Sequence, residues 1–272
     1  MNSNLAIEGT KSPHTVATST RASVMQLTKA VGLSQDGGSR TLDERITYRR
    51  EHIAEQYQLN VEAVLKHAIN DSQNDIASHE LDPDWWHHFQ YMAEQIHSPK
   101  MQQLWGKILT IELAQPRSFG LKALEVLKRM NPRDAQLLLS AVSLSCSFEQ
   151  DLSPVIITGW RTDPALGGII AGRGEQLSLS NFQLPYSAVL TLRELGLVHA
   201  VELETGRLRP APMRIQFKGK ALQLTPKHSR FHLRYYRFTS SGQELIRLLQ
   251  ESSNSNYIAS LSALAPKDAN WA

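Results

Sequence analysis

The chain has 272 residues, 29 of them Lys or Arg and 26 Asp or Glu, with 41% hydrophobic residues and a single cysteine. That length suggests one large domain or, more often, two of about 100–150 residues, the hydrophobic share excludes wholesale disorder, and one cysteine excludes an internal disulfide and a cysteine-based zinc site. No apolar run approaches the ~20 residues of a membrane-spanning helix and no signal-peptide pattern opens the chain, so the expectation is a cytoplasmic protein with no membrane partner.

Residues 1–40 are rich in Ser, Thr, Ala, Asn and Gly. They are expected to form a disordered tail, because they carry too little apolar surface to offset backbone entropy. Val24, Leu27 and Val31 allow one short amphipathic turn, and 34–39 reads as a linker. From Thr41 the pattern is helical: Ile46, Ile53, Tyr57, Val61, Val64, Ala68 and Ile69 recur at spacings of three, four or seven. This stretch is either one long helix or two, with Asn60 capping the second.

Asp82-Pro83-Asp84 is a helix start: a capping carboxylate, proline in the first turn and a further acid near the helix N-terminus. Trp85, Phe89, Met92 and Ile96 follow at helical spacing. Ser98-Pro99 opens a helix with Met101, Leu104, Trp105, Ile108 and Leu109 on one face. Leu121, Leu124, Leu127 and Met130 make another stripe, and Asn131-Pro132-Arg133-Asp134 opens the next helix, through Leu137, Leu138, Ala141 and Val142. Such stripes are buried by antiparallel helix packing.

Beyond residue 150 the texture changes. Val155-Ile156-Ile157 is β-branched and 163–174 is glycine-rich. Residues 186–195 read as a helix ended by Gly196. Strand candidates follow at 198–204, 213–217, 221–225 and 231–238, and a helix starts from a capping box at Ser241–Glu244. The tail from Glu251 is polar, with a docking turn through Tyr257, Ile258, Leu261 and Leu264. The fold expectation is mainly α with a smaller α+β part. It comprises an N-terminal helical bundle over 41–131, a winged-helix-like domain over 132–250 and a C-terminal tail over 251–272.

The segment 82–135 carries a resemblance. Asp82-Pro-Asp-Trp-Trp, Met101-Gln-Gln-Leu-Trp-Gly-Lys-Ile-Leu109, Glu112, Pro116-Arg-Ser-Phe119 and Asp134-Ala135 resemble a bacterial family catalogued as domain of unknown function 2806. That family carries an Asp-Trp pair, a Gln-x-Leu-Trp-x-x-Ile-Leu helix with a following Glu, and a Pro-Gly-Ser-Phe-Ser turn. Arg49-Arg50, Asn60–Val64, Leu195–Val198 and Thr239–Leu249 are similar to it more loosely. Arg117 stands where the family usually has Gly, and Gly120 where it usually has Ser. The resemblance implies no catalytic residue.

Each chemical candidate has a structural counterpart. Asp82 and Asp84 beside His87 and His88 are better explained as helix caps than as metal ligands, because adjacent histidines on a helix diverge by about 100°. Trp85, Trp86 and Trp105 fit core packing, Glu112 fits an ion pair with Arg49 or Arg50, and Cys146, placed on the Leu-rich helix, fits a buried thiol. Gly167–Gly174 lacks the Gly-Lys-Ser/Thr ending of a phosphate loop. No catalytic residue, metal or cofactor is assigned.

Charge is unevenly distributed. Residues 41–130 carry ten bases and thirteen acids, whereas 131–272 carry fifteen bases and eleven acids. Between 205 and 243 stand Arg207, Arg209, Arg214, Lys218, Lys220, Lys227, Arg230, Arg234 and Arg237, with no acid at all. Alternation places Arg214, Gln216 and Lys218 opposite Ile215 and Phe217, and His232, Arg234 and Tyr236 opposite Leu233 and Tyr235. A basic, aromatic sheet face suits nucleic-acid phosphates and bases. The nine cations are therefore the candidate nucleic-acid-binding residues of a regulator or nucleic-acid-associated protein. The alternative is a non-catalytic scaffold assembled through the N-terminal helices, so candidate partners are DNA or RNA, a second copy, or another protein. An enzyme with a pocket near Glu112 ranks third.

Overall fold

The computed structural model describes residues 19–33, 40–72, 79–149, 151–249 and 251–272. The expectations for 1–18 and for the linker at 34–39 lie outside them. The helices are α1 (Thr20–Ala30), α2 (Leu42–Asp71), α3 (Pro83–Ala93), α4 (Pro99–Ala114), α5 (Leu121–Arg129), α6 (Pro132–Ser143), α7 (Tyr186–Glu194), α8 (Ser240–Ile246) and α9 (Ser255–Ser262). The strands are β1 (Cys146–Phe148), β2 (Asp151–Thr162), β3 (Gly174–Gln176), β4 (Leu203–Glu204), β5 (Met213–Phe217), β6 (Lys220–Pro226), β7 (Phe231–Arg237) and β8 (Ala269–Trp271).

The chain divides into two compact units, 1–59 and 60–272. In the first, α1 occupies part of the stretch expected to be disordered, and its N-cap Ser19 accepts from the Ala22 amide. The early part of α2 leaves Leu42, Ile46 and Ile53 exposed. Its N-terminus is closed by a reciprocal pair, Thr41 N–H to Glu44 Oε2 at 2.7 Å and Glu44 N–H to Thr41 Oγ1 at 3.3 Å.

The second unit holds the core. Helix α2 is continuous through Asn60, which caps nothing. Its buried amide donates to the Glu94 carbonyl at 2.7 Å and accepts from Gln102 Nε2 at 3.2 Å. Asp82 caps α3 by accepting from the Asp84 and Trp85 amides at 2.9 and 3.0 Å. Asn131 and Asp134 form a reciprocal capping box on α6. Trp85, Phe89 and Trp105 stack in the interior between α3 and α4, with centroids 4.9 and 5.1 Å apart. The Trp85 indole N–H donates to the Phe119 carbonyl at 2.7 Å.

All strand pairs are antiparallel, in the order β4-β7-β2-β1-β5-β6-β8, with β3 also paired to β2. Strand β2 is the axis. Strand β7 runs along one edge, while β1 and β3 share the other, at Asp151–Val155 and Gly159–Arg161 respectively. Residues 155–160 are buried without alternation, so the middle of β2 is covered on both faces.

Several local expectations are corrected. Cys146 opens β1 rather than riding α6, because α6 ends at Ser143. The cap of α8 is Thr239, accepting from the Gly242 amide at 3.1 Å, and Glu244 reaches away to the Gly120 amide at 2.7 Å. The strands at 213–217 and 220–226 pair not only as a hairpin but within the eight-stranded sheet. Residues 251–272 contribute α9 and β8: Tyr257, Ile258, Leu261, Leu264 and Ala269 are buried, and the Tyr257 hydroxyl donates to the Ile157 carbonyl at 2.7 Å.

Candidate nucleic-acid interface

The nine cations divide by what the fold brings to them. Arg207 Nε lies 2.8 Å from Asp163 Oδ2. Arg234 pairs with Glu202 and, at 3.9 Å, with Glu204. Arg237 pairs with Asp151. None of these acids lies in 205–243. Asp151 and Asp163 sit at the start of β2 and just past its end, Glu202 just before β4 and Glu204 in it, and antiparallel pairing on both sides of β7 delivers them.

Asp163 is the hub of this network. Arg161 Nη1 reaches its Oδ1 at 2.6 Å, and His232 Nε2, in a buried ring, lies 3.1 Å from its Oδ2 without hydrogen-bond alignment. The guanidinium of Arg161 first, then Arg207 and His232, hold the Asp163 carboxyl well below the ordinary carboxylate range. Arg161 also binds Glu204 in a fork, Nε and Nη2 to the two carboxylate oxygens at 2.8 and 2.6 Å, and lowers its pKa. Beside it the Thr158 hydroxyl donates to Glu202.

Arg209, Arg214, Lys218, Lys220, Lys227 and Arg230 have no carboxylate within ion-pair distance among the described residues. All but the half-buried Arg230 are exposed. On β5 the exposure pattern alternates as expected: Ile215 and Phe217 are buried, Arg214 and Gln216 open. Cross-strand register sets Arg214 against the exposed Gln223 of β6 and Gln216 against Ser147 and Ala221. The turn 218–219, with Gly219 at φ 80°, sets Lys218 at the tip and the exposed Lys220 against Phe217 in the last register position of the pair. The exposed Glu149 is the acid nearest this face, its carboxylate accepting from the Arg214 amide at 3.4 Å. Tyr235 packs inward beside Leu233, as the alternation places it, with Phe148 at 5.4 Å between centroids. Of the rings expected on the open face, His232 is buried and Tyr236 half-buried.

The other candidates resolve into structure. Both oxygens of the buried Glu112 accept backbone amides, Arg117 at 2.6 Å and Phe119 at 2.9 Å, so it clamps the turn after α4. A cleft of about 430 Å³ opens beside it, lined by Glu80, Asp82 and Arg117, but Asp82 is spent on the α3 cap. Burial raises the Cys146 thiol far above its ordinary pKa. The glycine-rich segment is a hairpin connection into β3, and Arg173 at its end pairs with the buried Asp268 at 2.7 Å. Sequence reasoning missed Asp151, Asp163, Glu202 and Glu204: the two glutamates stand just before the acid-free window, and nothing in the local sequence marks the two aspartates.

The fold and this surface define a mixed protein: a helical part joined to an antiparallel sheet whose acids neutralise some of its cations and leave others open. The chain belongs to the family described as protein of unknown function DUF2806, whose sequence profile matches residues 44–262. No curated protein and no solved structure gives a significant match.

Proposed function

We propose that the protein is a non-catalytic nucleic-acid-binding protein that contacts phosphate backbone, DNA or RNA, through the β5–β6 hairpin. The observation that carries the reading is the set of exposed cations at Arg214, Lys218 and Lys220 with no carboxylate partner among the described residues, on a sheet that pairs its other arginines. A surface that serves solubility alone has no need to separate the two groups. Arg209 and Lys227 extend the unpaired set. Arg207 and Arg234 are structural in this reading, because breaking their pairs strands Asp163 and Glu202, only 19% and 15% exposed, and Arg237 is taken up by the more open Asp151.

Binding should fall steeply with salt, log K declining by about 0.9 per neutralised phosphate on duplex DNA. Reversing Arg214, Lys218 and Lys220 together to Glu should lower affinity and flatten that slope by about two to three. Fluorescence anisotropy with a labelled duplex and a labelled single strand across a salt series measures both. An unchanged slope in the triple variant removes the hairpin from the interface.

A second reading has its own observation. In the 1–59 unit, Leu42 is 63% exposed, Ile46 39% and Ile53 40% on one face of α2, the arrangement of a helix that self-associates or takes a partner helix. Ile46→Glu with Ile53→Glu should convert an oligomer to a monomer in light scattering. A wild-type chain already monomeric at high concentration excludes self-association.

A further inference from the structure

The connection from β2 to β3 carries three large aliphatic side chains into solvent. Leu166 is 70% exposed, Ile169 85% and Ile170 52%. Isolated exposed aliphatics are ordinary, but three on one tip form a patch. The tip is ordered by its own hydrogen bonds. Ala165 and Ile170 exchange both backbone bonds, at 2.9 and 3.1 Å, and the Gly168 and Ile169 amides donate to the Ala165 and Leu166 carbonyls at 3.1 and 3.3 Å. Leu166 is held at φ 51°, a left-handed conformation that aliphatic residues rarely adopt. With these amides already bonded, what the tip offers a partner is its side chains.

Its base is fastened to the sheet. The Thr162 amide donates to the Arg173 carbonyl at 2.7 Å, and the Asp163 amide to the Arg230 carbonyl at 2.9 Å. The Lys227 amide donates to the carbonyl of Asp268, the same residue whose carboxylate holds Arg173. Four cations therefore stand around the base: Arg173, Arg207, Lys227 and Arg230. The side chains of Arg173 and Arg207 remain 56% and 69% exposed, while those of their acids, Asp268 and Asp163, are only 3% and 19% exposed. Solvent meets the positive ends of these pairs.

We propose that this tip docks the protein on an anionic bilayer, with Leu166, Ile169 and Ile170 entering the interfacial region and the four surrounding cations meeting lipid phosphates. Cations alone suit any polyanion, and aliphatics alone suit any apolar pocket. Aliphatics at the summit with cations below match a surface that is anionic outside and apolar within. A base-stacking platform calls for aromatic side chains, and this tip has none. Docking of this kind needs no spanning segment, and it reverses the expectation of no membrane partner, which rested on the lack of an apolar run long enough to span. Lys227 is shared with the proposed nucleic-acid surface, whereas Arg214, Lys218 and Lys220 of the β5–β6 hairpin take no part in the docking.

The test uses the full chain and vesicles of phosphatidylcholine with and without phosphatidylglycerol. Cosedimentation with the anionic vesicles alone, weakened by salt, is expected. Ile169→Asp should reduce it about tenfold or more, since an inserted aliphatic becomes a charge. Lys227→Glu with Arg230→Glu should reduce it several-fold. Circular dichroism melting of each variant guards against misfolding. Ile169→Cys carrying an environment-sensitive dye should shift to the blue on anionic vesicles, and the buried Cys146 leaves that label selective. No cosedimentation, or binding untouched by Ile169→Asp, overturns the proposal. So does a dye that stays wet on vesicles but shifts on duplex DNA, which would make the tip a wedge between bases.

Discussion

Arg117 adopts φ 66°, a conformation that costs a side-chain-bearing residue about 1 kcal/mol or more and a glycine almost nothing. It occupies the position where the family usually has Gly, so that glycine answers a backbone demand rather than a ligand. Three residues on, Gly120 is the N-cap of α5 with no side-chain cap bond, where the family usually has the better-capping Ser. A Cβ there would find nothing closer than the Glu244 carboxylate oxygens at 3.6 Å. Arg117→Gly should therefore stabilise by about 0.5–1 kcal/mol, and Gly120→Ser by a few tenths, in urea denaturation. Loss of stability in both would contradict a purely conformational account of this turn. Glu112→Ala, in contrast, strands the buried Phe119 amide and frees the part-buried Arg117 amide, and should cost about 1–3 kcal/mol.

Helix–helix contact turns on Gly106. A Cβ at this position would lie 2.7 Å from His67 Cβ and 2.9 Å from both the Ala68 amide nitrogen and the Val64 carbonyl oxygen. Backbone of α2 thus meets backbone of α4 with nothing between. Ala is worth about 1 kcal/mol over Gly in a helix interior, yet overpacking a tight contact costs about 1–3 kcal/mol. Gly106→Ala should therefore destabilise, and a rise in the thermal midpoint would show that the helices can move apart cheaply. Periodicity placed most helices, and cap chemistry placed the starts of α3 and α6, because both depend on residues three or four apart. The continuity of α2 was not legible in this way. Asn60 has the chemistry of a cap, and only the arrival of Glu94 and Gln102 from α3 and α4 gives its amide another use.

At the scale of the sheet, the carboxylates around Arg161 make stability depend on pH. Asp163 and Glu204 titrate below their unfolded values of about 4. Their contribution is whole above about pH 5 and is lost as pH falls through 4 toward the folded values. Asp163→Asn should shallow the acid limb of stability against pH, measured by denaturant midpoints at a series of pH values. An unaltered limb would assign acid sensitivity elsewhere. Removing residues 251–272 takes away α9 and β8 with the buried Tyr257, Ile258 and Leu261, and should leave the sheet unable to fold into a soluble chain. A soluble, cooperative product would show this end to be dispensable.

The sequence by itself determined which segments are helix, where α3 and α6 start, which residues of β5 face inward, and that the cations cluster late in the chain. Each of these follows from neighbours within a turn of helix or a few strand positions. Which cations are free was decided by the tertiary structure alone. Asp163 lies 44 residues from Arg207 and Asp151 86 residues from Arg237, and no local pattern encodes such a meeting. The modest net charge of the whole chain averages over acidic helices, paired arginines and an open basic rim, and strand pairing is the physical event that separates the last two.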